Sequence, residues 1–215
     1  MELRVLAVGD IVGEGGQDIL RRRLRELRSR SDIHFTVVNG ENASGVGITP
    51  AQARGMLDAG ADVITLGNHT WNRIQIGDFL DKSSSILRPA NYAGRVPGRG
   101  YGIYQCRGVT VGVINLMGRV DLNPNLDSPF KLANTILRQM ESCDVILLDF
   151  HAEATSEKGA MAWHPHPCAH RRLPGAAPGH RLRHRPGHDR PQPLGAGHQA
   201  GELHQPVPGG TAPAV

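Results

Sequence analysis

Six polar side chains, each close behind an apolar run, carry the chemistry that this sequence could perform. They supply carboxylate, amide and imidazole groups and no thiolate: Asp10, Glu41, Asn42, Asn68, His69 and His151. Such ligands suit hard-to-borderline divalent cations such as Mn, Fe or Zn better than a structural zinc site built with cysteine. Two such ions about 3.5 to 4 Å apart, bridged by a carboxylate, generate hydroxide and stabilise a phosphoryl displacement. The residue types therefore indicate a binuclear metal centre for phosphate-ester chemistry.

Each of these residues, taken alone, also has an ordinary structural explanation. The two acids could cap the helices that follow them, the two asparagines could satisfy turns, and the two histidines could be hydrogen-bonded core residues. The site is favoured over these explanations because all six residues follow apolar runs of the same kind.

Four apolar runs must position these side chains. They cover residues 3–8, 35–38, 63–66 and 145–148. Continuous apolar runs with β-branched residues are typical of strands buried on both faces, as in a parallel sheet. Open α/β sheets bind ligands at the carboxyl ends of their strands. We therefore expect four buried strands that bring the six side chains to one edge.

The remaining pattern predicts an α/β fold with a second or mixed sheet. An amphipathic helix is expected over 17–30, with Ile19, Leu20, Leu24 and Leu27 on its apolar face. Further helices are expected over 50–58, 74–81 and 129–141, and a β-hairpin over 100–115 around Arg107-Gly108. The glycine-rich stretch 11–16 predicts a turn, but its spacing is not the G-x-G-x-x-G of a dinucleotide-binding loop.

The final stretch, residues 164–215, differs in composition from the rest of the chain. It holds eight of the eleven histidines and ten of the fifteen prolines, and no Ile, Phe, Tyr or Trp. Such a composition cannot offset its ordering entropy by burial, so it predicts a disordered tail behind a domain of residues 1–163. A His-rich tract could bind metal and a basic one nucleic acid. The mixture of Arg, Pro, His, Gly and Ala is nevertheless most typical of a GC-rich gene translated out of frame.

Charge and cysteine content restrict the function classes further. The net charge of +4 comes from the tail, because residues 1–163 carry 18 basic and 18 acidic side chains. Nucleic acid is therefore a possible partner but not a favoured one. No run approaches the roughly 20 apolar residues of a membrane span, and the first residues lack the pattern of a signal peptide. Cys106, Cys143 and Cys168 show neither a metal-binding spacing nor a paired framework. We therefore expect a cytoplasmic protein without a membrane partner.

Four motifs along the chain resemble those of the calcineurin-like metallophosphoesterase superfamily. They are Gly9-Asp10, Gly40-Glu41-Asn42, Gly67-Asn68-His69 and Asp149-Phe150-His151-Ala152-Glu153. The second and fourth, within Asn-Gly-Glu-Asn-Ala and Asp-Phe-His-Ala-Glu, resemble more closely the bacterial YmdB-type branch. Members of that branch are described as 2',3'-cyclic nucleotide phosphodiesterases. The likeness runs from residue 1 to about residue 163.

The resemblance implies a fold, two metal ions and a role for each side chain. The fold would be a four-layer α/β/β/α sandwich, and the ions Fe, Mn or Zn. Asp10 and Asn42 would bind the first ion, Asn68 and His151 the second, and Glu41 both. His69 would be the general acid for attack by metal-bound hydroxide, a role that suits imidazole because its ordinary pKa lies near working pH. The substrate would be a small phosphodiester or nucleotide, and the protein a homo-oligomer.

The sequence departs from the family pattern near its end. The family continues into a Gly-Thr-His-Thr-His motif whose histidines each bind one metal, and this chain has no such motif. His164-Pro165-His166 has the H-x-H spacing but follows His151 too closely for an intervening strand; a shifted reading frame of the missing motif would give such a string. The domain is therefore expected to be incomplete and poorly stable, and the chain weakly active or inactive. A truncated relative that binds nucleotide or a partner without turnover is the alternative.

Overall fold

Seven strands in two sheets organise the part of the chain that the computed structural model describes, residues 2–122 and 125–164. The elements follow in this order: β1 (Val5–Val8), α1 (Gly13–Arg30), β2 (Phe35–Asn39), α2 (Pro50–Ala59), β3 (Val63–Thr65), a 3-10 helix (Thr70–Asn72), α3 (Ile76–Lys82), β4 (Ile86–Leu87), β5 (Tyr101–Cys106), β6 (Val109–Met117), α4 (Pro129–Gln139), β7 (Val145–His151) and α5 (Thr155–Trp163). The predicted alternation of strands and helices is confirmed.

The first sheet is parallel and the second is mixed. The first has the order β1-β2-β3-β4, with Val38 of β2 opposite Val8 on one side and Ile64 on the other. In the second, β5 and β6 form the predicted antiparallel hairpin and β7 lies parallel to β6. The last apolar strand therefore joins the sheet of the hairpin, not the sheet of the first three strands.

Three apolar clusters separate four layers. One packs α1, α2 and α3 against the first sheet around Val38 and Ile64. Another packs α4 and α5 against the second sheet around Ile114. The third lies between the sheets and includes Val63 and Val113. The order of helices, sheet, sheet and helices confirms the expected α/β/β/α sandwich.

Two of the four strands expected to be buried on both faces are not. The residues of β2 and β3 are all buried, whereas those of β1 and β7 are half-exposed or exposed. In the described part of the chain, β1 pairs only with β2 and β7 only with β6. An apolar run does not reveal how many neighbours a strand has, so the prediction of burial was wrong at these sheet edges.

The first helix also departs from its prediction. It starts earlier than residue 17, so the glycine-rich turn is shorter than expected. Leu20 and Leu24 are buried, but Ile19 is 65% exposed and Leu27 is 44% exposed. The apolar face of α1 is thus narrower than the sequence pattern predicted. Helix α2, by contrast, starts at the predicted Pro50, and Thr49 before it forms a complete capping box with Gln52.

Two further predictions concern membrane-spanning helices and the C-terminal tail. None of the helices in the described residues has the length and hydropathy needed to cross a membrane. The predicted tail, apart from its first residue His164, lies outside the described residues.

Candidate functional site

The six predicted side chains lie at the carboxyl ends of strands from both sheets. Asp10 follows β1, Glu41 and Asn42 follow β2, Asn68 and His69 follow β3, and His151 ends β7. The candidate site is thus shared between the two sheets, whereas the sequence led us to expect one edge.

The carboxylate of Glu41 joins both halves of the site. Glu41 is only 1% exposed to solvent. Its Oε1 accepts a hydrogen bond from Nδ1 of His151 at 2.8 Å, and its Oε2 accepts one from the backbone N–H of His69 at 3.3 Å. No Lys or Arg among the described residues forms an ion pair with it. A buried carboxylate without a cation is costly, so its place here favours a site that receives positive charge.

Gly67 lies directly against the Glu41 carboxylate. A Cβ atom at position 67 would lie 2.2 Å from Oε2 of Glu41 and 2.7 Å from its Cδ. Real Cβ atoms do not approach other atoms so closely, so only glycine leaves the carboxylate in place. The glycine of the Gly67-Asn68-His69 motif is therefore required by a contact with the motif that contains Glu41.

Asp10 and Asn42 form a second pair. The side-chain amide of Asn42 donates to Oδ2 of Asp10 at 2.7 Å. Among the described residues no hydrogen bond joins Asp10 directly to Glu41, and the pairs are linked through the peptide between Glu41 and Asn42. Nor do three His, Cys, Asp or Glu side chains converge as a metal site anywhere in the described chain. A divalent-ion site built from these six side chains would therefore need Asn42 and Asn68 as well.

His151 is the side chain that fits a metal ligand best. In the neutral ring, the Nδ1–H donates to Glu41 and the lone pair is on Nε2, and Nε2 is buried without a hydrogen-bond partner among the described residues. Burial by itself lowers the pKa of His151, but the hydrogen bond and charge of Glu41, with the charges of Asp149 and Glu153, raise that pKa overall. An unpartnered imidazole nitrogen beside a buried carboxylate is what a divalent cation would satisfy.

Hydrogen bonds within the turn and from Tyr92 hold the turn that carries Asn68 and His69. Nδ2 of Asn68 lies 3.4 Å from Nε2 of His69. The carbonyl of Gly67 accepts bonds from the hydroxyl of Thr70 at 2.7 Å and from the hydroxyl of Tyr92 at 3.3 Å. Burial raises the pKa of Tyr92, so its hydroxyl stays protonated and able to donate. No sequence pattern indicated these supports, because Tyr92 lies in a loop without regular periodicity.

Two polar contacts join the sheets directly beneath the site. The hydroxyl of Thr65, at the end of β3, donates to Oδ2 of Asp149 in β7. Nδ2 of the buried Asn115 in β6 donates to the carbonyls of Leu66 at 2.7 Å and Leu87 at 2.9 Å. Sequence reasoning missed Thr65 and Asn115; the only signal was a polar residue inside each apolar strand.

His164, the first residue of the H-x-H spacing, contacts helix α4. Its Nε2 is 3.0 Å from Oδ1 of Asn134 in α4, and its ring packs edge-on against Phe130. His166 lies outside the described residues. Within the described part, the candidate site is therefore limited to the six predicted side chains and the residues that support them.

Comparison with other proteins identifies a sequence family and similar proteins. The sequence model of the YmdB-like protein family matches residues 6–168. A 2',3'-cyclic-nucleotide 2'-phosphodiesterase from Bacillus subtilis is 42% identical over 164 residues, which are 75% of this chain and 62% of that protein.

Solved structures share the fold. A hypothetical protein from Thermus thermophilus has a TM-score of 0.69 and 35% identity, covering 74% of this chain and 62% of its own. A novel phosphatase from Mycoplasma pneumoniae has a TM-score of 0.69 and 28% identity, covering 74% and 59%. The chain thus spans about three fifths of the length of the relatives it matches.

Proposed function

The chain belongs to the YmdB-like protein family, and on that premise we propose that it is a metal-dependent phosphodiesterase whose substrates are cyclic nucleotides or related small phosphodiesters. The observation that supports this most directly is the buried Glu41 carboxylate, bonded to His151, whose Nε2 has no partner. The relative from Bacillus subtilis supports the choice of substrate class. The resemblance also suggests a homo-oligomer, which sedimentation velocity would test.

Five side chains would hold two divalent ions, Fe, Mn or Zn: Asp10, Glu41, Asn42, Asn68 and His151. When bound, such ions polarise the phosphoryl oxygens and make a water acidic enough to act as nucleophile near neutral pH. Glu41 carries the charge that attracts the cations into the buried part of the site. Nδ1 of His151, by donating to Glu41, keeps the ring in the tautomer that leaves Nε2 free.

His69 would supply the proton in bond cleavage. As the P–O bond of the diester breaks, the leaving oxygen gains a negative charge, and a ring N–H of His69 neutralises it by proton transfer. Its backbone N–H is bonded to the Glu41 carboxylate, so the proton donor and the ligand carboxylate keep a fixed relation. Opening of a 2',3'-cyclic phosphate would then give one phosphomonoester and one hydroxyl.

The test is hydrolysis of bis(p-nitrophenyl) phosphate and of 2',3'-cyclic AMP by the full 215-residue chain, with Mn²⁺ added. We expect about two metal ions per chain by elemental analysis and a rate that falls by about 10²- to 10⁴-fold in His69→Ala, since general acid catalysis contributes that much. Metal content should stay high in His69→Ala and fall in His151→Ala. Absence of hydrolysis at every metal tested would overturn the proposal.

A second candidate is a non-catalytic relative that binds nucleotide or a partner without turnover. It is favoured by the lack, among the described residues, of any group of three His, Cys, Asp or Glu side chains placed to hold a metal ion, and by the absence of a Gly-Thr-His-Thr-His motif from the 215 residues. Loss of one histidine ligand per ion would weaken both sites strongly. Elemental analysis separates the two candidates, because a non-catalytic relative should retain little or no metal.

A further inference from the structure

A short loop after β6 is built into the edge of the candidate site. This rim loop, residues 118–122, begins beside the last residue of β7, because Met117 pairs with His151 and the N–H of Gly118 donates to the carbonyl of His151 at 2.8 Å. It is therefore in direct contact with a strand end that carries one of the six site residues.

A second connection reaches the other sheet. The side chain of the fully buried Asn91 bonds both backbone groups of Met117, at 2.9 and 2.7 Å, and the carbonyl of Asp127. The next residue, Tyr92, donates to the carbonyl of Gly67 and packs edge-on against Trp71. The base of the rim loop is thus joined to the turn that carries Asn68 and His69.

The carboxylate of Glu157 holds the start of the rim loop. Both of its oxygens accept the backbone N–H of Arg119 at 3.0 Å, and Oε2 also accepts that of Val120 at 3.1 Å. A Cβ at Gly118 would lie 2.4 Å from Oε2 of Glu157 and 2.7 Å from Cβ of Ala152, so only glycine permits this approach. A carboxylate that accepts two successive backbone donors fixes where the loop places its side chains.

The cation that this loop presents has no counter-ion among the described residues. Gly118 is buried, whereas Arg119 and Val120 are exposed. Most arginines of α1 pair with carboxylates, but Arg119 forms no ion pair within the described chain. The backbone that carries Arg119 is thus fixed next to the strand end of His151, and an unpaired guanidinium on such a loop suits contact with an anion.

We propose that Arg119 binds the anionic phosphate of the substrate and that Glu157 acts as its positioning residue. This rests on the proposed function, because the anion is the phosphodiester of that reaction. A guanidinium donates two parallel N–H bonds to phosphate oxygens, which lysine cannot reproduce. Arg119 therefore contributes to substrate affinity, and Glu157 contributes through Arg119.

The test uses the full, Mn²⁺-loaded chain with bis(p-nitrophenyl) phosphate as substrate and inorganic phosphate as a non-reacting probe. Arg119→Gln is expected to raise KM about tenfold or more with a smaller change in kcat, and Arg119→Lys to restore it in part. Arg138→Gln in α4 is the matched control, because it removes the same charge from an exposed arginine whose Nε bonds its own helix. It should leave KM unchanged.

Glu157 is tested by a double-variant cycle. Glu157→Ala should raise KM in the parent chain and have little further effect in Arg119→Gln, because both changes remove one interaction. Additive effects on KM would show that Glu157 does not act through Arg119 and would overturn that half of the proposal.

Phosphate binding separates this inference from the proposed function. If the chain hydrolyses no diester, phosphate should still raise the melting temperature of the parent chain and of Arg138→Gln, and not that of Arg119→Gln. If the diester is hydrolysed with equal KM by the parent chain and Arg119→Gln, the role of Arg119 is refuted while the proposed function stands. Absence of any phosphate-dependent shift in a hydrolytically inactive chain refutes it as well.

Discussion

Substitution of Gly67 by alanine tests the contact between two of the sequence motifs. The added methyl carbon would lie 2.2, 2.7 and 2.8 Å from the three carboxylate atoms of Glu41. Glu41 is 1% exposed and bonded to His151 and to the backbone of His69, so it cannot move without losing those bonds. The methyl group therefore forces the carboxylate, the adjacent backbone, or both, to shift.

The expected cost follows from these two effects. Overpacking by a methyl group in a filled interior costs about 1–3 kcal/mol. Loss of a hydrogen bond to a charged group costs about 1.5–3 kcal/mol. If the Glu41 carboxylate moves away from the methyl group, the overpacking is relieved but hydrogen bonds of the carboxylate are lost. We therefore expect Gly67→Ala to lower the free energy of unfolding by about 2–4 kcal/mol. Urea denaturation without added metal measures this, and titration with Mn²⁺ should show weakened binding.

Gly9→Ala is the matched control for stability. Gly9 also follows a strand of the first sheet, but a Cβ there would meet nothing within 4 Å. Its free energy of unfolding should change by less than about 1 kcal/mol. In a Glu41→Ala background the cost of Gly67→Ala should largely disappear, since the clashing atoms are gone. An equally large cost in that background, or no cost in the parent chain, would refute the contact.

Three further changes test the supports around the site. Thr65→Val should lower the free energy of unfolding by about 1.5–3 kcal/mol in urea, because Asp149 loses a donor, whereas Thr65→Ser should be milder. Gly55→Ala, inside α2 with open space around the added atom, should raise it by up to about 1 kcal/mol. Burial raises the pKa of Tyr104 to about 12. The unfolded chain ionises this group at about pH 10 and the folded chain later, so stability should fall between these values in the parent chain and less in Tyr104→Phe.

Much of the fold could be predicted from local patterns. The start of α2 at Pro50 and the hairpin around Arg107-Gly108 depend on residues close in sequence, and both predictions were confirmed. The two-residue strand β4 was missed because it is too short to show a period. Helix α5 was missed because it has no side-chain N-cap to mark its start. The edge positions of β1 and β7 depend on distant pairing, which a local pattern does not contain.

The candidate site was predictable as a set of strand ends, but not as a set of contacts. That Glu41 meets His151 across two sheets depends on how the sheets pack, and the sequence led us to expect a single edge. The roles of Asn91 and Glu157 were hidden for the same reason, since each bonds backbone groups more than twenty residues away. Their residue types alone are common in loops and helices. The metal ligands and the role of His69 remain predictions.

The division of the candidate ligands between two sheets would link metal binding to the interface between the sheets, the seam inside the sandwich. An ion held by Asn68 and Glu41 on one side and His151 on the other would act as a crosslink across that seam, opposing any sliding of one sheet over the other. By mass action, such a crosslink adds to the folding free energy in proportion to the logarithm of ion concentration once the site is saturated. The cation would then stabilise the packing of the two sheets against each other, as the valines between them do.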